Sequence, residues 1–339
     1  MDSRKLTVLG LAVVAVMATA ALAVAIGPKP ITTATDKTGE PELTQLLDRH
    51  APRATRNIAA FTHRDGSTTF AGLGADEHTE FEIGSITKTF TAELLNNAIQ
   101  RGDLTLNTTV GEIIAIPGAA AENITMEELA THTSGLPRLS RMGLGTFISS
   151  FTGGNPYEGY TNEELFEHTR EASVSDRGEF SYSNFGFALL GQLIAKASDS
   201  TYPELLKEEI LAPLNMENTY LMLPGTVSDD APRGLTSRGR ESQAWEMDAD
   251  APAGAIRSTA HDMAIYAEYI LSKPLPDYTW IHNEEKDFFF HNGGTGGFRS
   301  MLIIDPDSGT ATFTINDTTA AVDELGAALM DDLQRGVMS

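Results

Sequence analysis

Strand-like runs stand near both ends of this chain and helical ones fill the middle, an order that leaves few ways to build a sheet. Near the start, Asn57 to Thr62 and Thr68 to Gly72 are short runs joined by the turn residues Asp65-Gly66-Ser67. Near the end, Lys286 to His291, Arg299 to Ile304 and Thr310 to Ile315 are separated by a glycine-rich stretch and by Asp-Pro-Asp-Ser-Gly. Between them, Ile86, Phe90, Leu94, Leu95, Ala98 and Ile99 recur at helical steps directly after Phe81-Glu82-Ile83-Gly84. Thr125 with Glu128, and Thr161 with Glu164, have the spacing of capping boxes, and Gly135 and Pro137 are placed to stop the first of those helices. Helices are also predicted at Glu42 to His50, at Phe185 to Ala197, at Thr259 to Leu271 with Ser258 as cap, and at about Thr319 to Arg335. The region 222 to 255 reads as loop. The expected fold class is α+β: an antiparallel sheet from both chain ends, flanked by helices, with a helical lobe inserted at about 86–250.

The first 26 residues read differently from the rest. Arg4 and Lys5 precede Leu6 to Ile26, which runs 21 residues without a charge. Two readings fit this leader: a secretory signal, with small-x-small sites such as Ala18-Thr19-Ala20 and Ala23-Val24-Ala25, or a membrane tether through residues 6–26. In both, the body lies outside the cytoplasm, secreted or anchored by its N-terminus. Residues 27–41, rich in Pro, Thr and Gly, are expected to be a linker, and 42–335 a single folded domain. The formal net charge is −23, which excludes nucleic acid as a partner on electrostatic grounds. With no cysteine in the chain, a thiol nucleophile, a thiolate metal site and a disulfide scaffold are all excluded.

Three short stretches carry chemistry. In Phe81-Glu82-Ile83-Gly84-Ser85-Ile86-Thr87-Lys88, the serine sits at a predicted helix start, beside free backbone N–H groups and the positive end of the helix dipole. Lys88, three residues on, shares its face, and partial burial would lower its pKa until it can take the serine's proton. The plainer reading is that Ser85 caps the helix while Lys88 points into water. In Phe180-Ser181-Tyr182-Ser183-Asn184-Phe185-Gly186, Tyr182 is a candidate proton relay and Asn184 a candidate hydrogen-bonding group; the plainer reading is a turn with Asn184 as N-cap. In Phe290-His291-Asn292-Gly293-Gly294-Thr295-Gly296-Gly297, the glycines allow close approach to a strand backbone, or form a hairpin and nothing more.

Ser-x-x-Lys, Tyr-x-Asn and His-x-Gly, in this order, resemble the serine β-lactamase and penicillin-binding protein family. Within it the chain looks like the branch of class C β-lactamases, D-alanyl-D-alanine carboxypeptidases and related esterases. Thr131-His132-Thr133-Ser134-Gly135-Leu136, Leu189-Leu190-Gly191 with Pro213-Leu214-Asn215-Met216, and Pro252-Ala253-Gly254-Ala255-Ile256-Arg257-Ser258 look like that branch's connecting segments. The resemblance covers about residues 42 to 335 and implies a β-lactamase/transpeptidase-like fold. It also implies a serine hydrolase with Ser85 as acylated nucleophile, Lys88 as its base and Tyr182 as proton shuttle. Asn184 would orient a substrate amide, His291 and Gly293 would line the substrate strand, and the N–H groups of Ser85 and Gly294 would form an oxyanion hole. The implied partner is a small-molecule or cell-wall peptide substrate, with no cofactor.

One departure matters. Where β-lactamases of this family carry lysine, this chain has His291, which at an ordinary pKa near about 6.5 is only partly charged at neutral pH and anchors an anion less firmly. Arg299 or Arg257 is available to compensate, although each also fits a structural ion pair. His132 reads as structural. The eight histidines show no metal-binding spacing, so no metal is expected, and Gly-x-Ser-x-Gly, a phosphate loop and a dinucleotide fingerprint are all missing. Two rivals to a hydrolase are a sensor or penicillin-binding protein that is acylated but turns over poorly, and an inert member of the same fold.

Overall fold

The computed structural model of the chain describes residues 27–141, 149 and 152–336, and the leader read at residues 1–26 lies outside that range. The main sheet takes its strands from both ends of the chain, as expected. In chain order the strands are β1 (Lys37–Gly39), β2 (Ile58–Arg64), β3 (Ser67–Leu73), β4 (Phe81–Glu82), β5 (Tyr220–Leu221), β6 (Ile256–Ser258), β7 (Ile281–Asn283), β8 (Phe288–Gly294), β9 (Arg299–Asp305) and β10 (Thr310–Asn316). The main sheet runs β1-β3-β2-β10-β9-β8-β7, antiparallel throughout, and β4-β6-β5 form a second small sheet.

The two ends of the chain meet at β2 and β10, where Phe61 pairs with Phe313 and their rings stack 5.7 Å apart. Alternation along β2 sorts its side chains. Ile58 and Ala60 face a core with Leu43, Leu47, Leu73 and Leu329, whereas Ala59 and Phe61 face the larger core of the helical side. Six longer helices are labelled here: α1 (Pro41–His50), α2 (Thr87–Arg101), α3 (Asn162–Glu171), α4 (Asn184–Ala197), α5 (Ala260–Leu271) and α6 (Asp323–Gln334). Leucines of α1 and α6 cover the first face. Helix α4 is buried at every residue from Phe185 to Ala195, so it runs through the middle of the lobe rather than along its surface.

Several boundaries differ from the sequence reading, for local reasons. The stretch 27–41 is not a bare linker: Lys37–Gly39 pairs with β3, and the Lys29 N–H donates to the Arg238 carbonyl at 2.8 Å. Helix α5 is capped by Thr259, whose side chain accepts the Asp262 N–H, and not by Ser258. The helix that follows Thr125 ends at Ala130, before Gly135, because His132 already turns the backbone at φ +61°. The last helix starts at Asp323 because Asn316 ties down the preceding residues, accepting the Thr318 N–H at 3.0 Å and donating to the Ala320 carbonyl at 2.8 Å. Strand β8 begins at Phe288 rather than Lys286 and continues to Gly294, paired on its outer side with the unanticipated β7. Among the described residues no helix is long and apolar enough to cross a membrane.

Candidate active site

Strand β4 leads into one turn of 3₁₀-helix, Gly84–Ile86, and α2 follows at Thr87. Ser85 therefore stands where a helix begins. Gly84 has φ +55°, and a β-carbon there would lie 2.5 Å from the Gly294 nitrogen. A β-carbon on Gly293 would lie 1.9 Å from the Ile83 carbonyl oxygen. These glycines let the end of β8 lie main chain against main chain along the segment that enters Ser85. Ser300 on the neighbouring β9 fastens the contact, donating from Oγ to the Ile83 carbonyl at 2.8 Å. The amide of Gly294 is thereby brought next to Ser85.

Lys88 is wholly buried. Its Nζ lies 3.2 Å from Ser85 Oγ, 2.8 Å from Asn184 Oδ1 and 2.6 Å from the Ala253 carbonyl oxygen. It also lies 5.0 Å from the centre of the Tyr182 ring. Burial pushes its pKa down, Tyr182 and Asp250 oppose the shift, and Arg138 adds to it. The alternative of a lysine pointing into water does not hold in this structure. Tyr182 and Asn184 reach the same place because Ser183, and not Asn184, is the N-cap of α4: its Oγ accepts the Gly186 N–H at 2.8 Å and donates to the Pro137 carbonyl at 2.7 Å. Asn184, on the first turn, then points its side chain to Lys88.

His291 behaves differently from the sequence expectation. Its ring is 1% exposed, and burial, with Lys88 nearby, pushes its pKa down to about 3. It is neutral at ordinary pH rather than partly charged. Nδ1 lies 2.7 Å from the Asn292 carbonyl, which can only accept, so the ring proton is on Nδ1 and Nε2 carries a lone pair. Its side chain does not line the cleft; Asn292, Gly293 and Gly294 do. His132 is held neutral in the same way, with burial the main cause and Lys88, His291 and Arg138 contributing to a pKa of about 3.

The cleft in front of Ser85 has a volume of about 640 Å³ and includes Tyr182, Asn184, Gly293, Gly294 and Thr295 in its walls. It also brings in residues that the sequence reading missed: Arg138, Arg141, Tyr157, Trp245 and Asp250. Asp250 is 5% exposed, and burial pushes its carboxyl up to about 7 against the pull of Arg141 and Lys88. The Ala253 carbonyl on Lys88 was missed as well, although Pro252-Ala253-Gly254 was recognisable as a family segment. Of the two arginines considered as anion anchors, Arg257 is buried on Glu80 (2.9 Å) and the Pro232 carbonyl (2.6 Å) and is structural. Arg299 lines the cleft, its Nη1 donating to the Thr295 and Phe298 carbonyls at 2.7 Å each. Among the described residues, Arg138, Arg141 and Arg299 have no carboxylate in ion-pair contact.

Comparison with known proteins accords with this geometry. A β-lactamase of Providencia stuartii is 28% identical over 211 residues, covering 61% of this chain and 51% of that protein. The D-alanyl-D-alanine-carboxypeptidase/endopeptidase AmpH of Escherichia coli K12 is 30% identical over 201 residues, covering 56% of this chain and 48% of its own length. The chain thus spans about half the length of the curated relatives it matches. A β-lactamase/D-alanine carboxypeptidase structure from Pseudomonas syringae superimposes with a TM-score of 0.70 at 16% identity, covering 88% of this chain and 100% of that one, which establishes the fold. The family model described as beta-lactamase matches residues 44–281, a span that holds Ser85, Lys88, Tyr182 and Asn184, and the chain belongs to the beta-lactamase family.

Proposed function

We propose that this protein is a serine hydrolase that cleaves an amide or ester bond through an acyl-Ser85 intermediate. The observation that carries the reading is the buried Lys88 amine, 3.2 Å from Ser85 Oγ and depressed in pKa by its burial. In this reading Lys88 takes the hydroxyl proton as Ser85 attacks the substrate carbonyl. The N–H groups of Ser85 and Gly294 receive the developing oxyanion, each such donor contributing about 2.7–4 kcal/mol to the transition state. Tyr182 delivers the proton to the leaving group, Asn184 orients the substrate amide, and water then releases the acyl group. His291, being neutral, serves as a wall of the cluster rather than as a cation for the substrate.

The substrate class we infer is an acyl donor bearing a carboxylate, such as a β-lactam or a peptidoglycan peptide ending in D-alanine, in preference to a neutral small ester. Arg138, Arg141 and Arg299, none with a carboxylate in ion-pair contact among the described residues, support that choice, since they outnumber the cleft carboxylates Asp250 and Asp323. The apolar stretch Leu6–Ile26 supports a place of action outside the cytoplasm, by export or by tethering.

The test is a turnover panel of nitrocefin, a D-Ala-D-Ala peptide and p-nitrophenyl esters, run beside Ser85→Ala, with mass spectrometry of the protein. Turnover of a carboxylate-bearing substrate that Ser85→Ala abolishes is expected. A Ser85 adduct that never turns over would favour the sensor reading, and the absence of any adduct would overturn the hydrolase.

A further inference from the structure

His132 reaches Tyr182 from both sides. Its carbonyl accepts the Ser181 N–H at 2.8 Å, and its Nδ1 accepts the Ser183 N–H at 3.1 Å. The residues before and after Tyr182 are therefore both tied to one residue. Between the two bonds, the imidazole lies against the phenol ring, with centroids 4.4 Å apart and planes 33° apart. The imidazole also packs on Phe187, with centroids 4.8 Å apart, and stands edge-to-face with Phe180 at 5.8 Å.

Two further features set His132 apart from ordinary core packing. It holds φ +61°, a left-handed conformation that residues with a β-carbon adopt uncommonly. That bend is what lets one residue present its carbonyl and its Nδ1 to the same short segment. Because Nδ1 accepts from an amide, the proton of the neutral ring is on Nε2, and Nε2 has no partner among the described residues.

We propose that His132 is a positioning residue for the proposed hydrolase reaction: it fixes the Tyr182 phenol against Lys88 through its Nδ1 and carbonyl bonds. It touches neither Ser85 nor the cleft and acts only through Tyr182. The inference rests on the serine hydrolase reading, in which Tyr182 protonates the leaving group. A loosened Tyr182 must then hurt substrates that need that proton more than those that do not.

The experiment compares His132→Asn, His132→Gln and His132→Phe on the p-nitrophenyl and ethyl monoesters of succinic acid, which share an acyl group that carries a carboxylate. Asparagine tolerates positive φ and sets an oxygen near the position of Nδ1, so it keeps the bond to Ser183. Glutamine and phenylalanine do not. The expected result is a near-normal His132→Asn. The other two should lose on the order of 10–100-fold in kcat on the ethyl monoester, with much less loss on the p-nitrophenyl monoester and little change in KM. Glutamine stands in should phenylalanine fail to fold. Equal losses on both esters, or wild-type rates in His132→Gln and His132→Phe, would overturn the positioning role. Failure of the wild type itself to form any Ser85 adduct would instead overturn the hydrolase reading, and the positioning role with it.

Discussion

The Lys88 amine has no exposed surface, and that burial pushes it toward the neutral form, while a hydroxyl, an amide oxygen and a carbonyl oxygen fix its position. Replacing Lys88 with methionine keeps most of the volume and removes the base. The variant should stay folded, shown by an intact cooperative melt, and its rate of Ser85 acylation should fall by about 10²–10⁴-fold. Acylation at the wild-type rate would mean that another group takes the proton. Asp250 allows a second residue-level test. Its carboxyl titrates at about 7 in the folded chain against 3.8 for the free group, so between those values the folded state keeps a proton that the unfolded state has released. This term lowers stability as pH rises from about 4 to 7, by at most about 1.4 kcal/mol per pH unit, and then levels off. Asp250→Asn removes it. Denaturation at pH 5 and pH 8 should show the variant gaining on the wild type as pH rises, and a difference independent of pH would refute the assignment. Ser85, Lys88, Tyr182 and Asn184 were legible in the sequence because their short motifs stand in the order that a known family shares, which the spacing of any one motif would not have carried. The Ala253 carbonyl and Asp250 were not, since a backbone oxygen has no sequence identity and a lone aspartate in a loop has no pattern.

At the scale of elements, the site depends on β8 lying against the start of α2, and two glycines permit that approach. Gly84→Ala would place a side chain at φ +55° and a β-carbon 2.5 Å from the Gly294 nitrogen, which belongs to main chain and cannot swing aside. The backbone conformation alone costs about 1–3 kcal/mol. Strand β8 must also shift, and displacing an oxyanion donor by about 1 Å is worth roughly 10²-fold in rate. A lower melting temperature together with a fall in kcat is expected, and a stability loss with unchanged kcat would show that Gly294 does not serve the reaction. Long periodic elements such as α4 and β10 could be read from the chain because their hydrophobic pattern repeats several times. Lys37–Gly39, Tyr220–Leu221 and Ile281–Asn283 could not, because two or three residues hold no period and their pairing is decided by strands distant in sequence.

For the molecule as a whole, the sheet that carries β8 closes only when β10 reaches β2, pairing Asn316 with Ile58 across most of the chain. Bringing such distant segments together must precede any reward from their contacts, so folding should be slow for a chain of this size. The same arrangement makes the site dependent on residues far from it. Ending the chain after Gly309 would leave Ser85, Lys88, Tyr182, Asn184 and His291 all present. It would nevertheless remove the strand between β2 and β9, together with Leu325, Leu329 and Leu333 from the core beneath α1. Both flanking strands would then expose unpaired edges, and β8 would lose the support on its partner's far side. The truncated chain should show no cooperative thermal transition by circular dichroism and no labelling of Ser85 by a fluorophosphonate. A cooperative melt with normal labelling would mean that the helical lobe and the β7-β8-β9 strands hold the site without the sheet's closing strand.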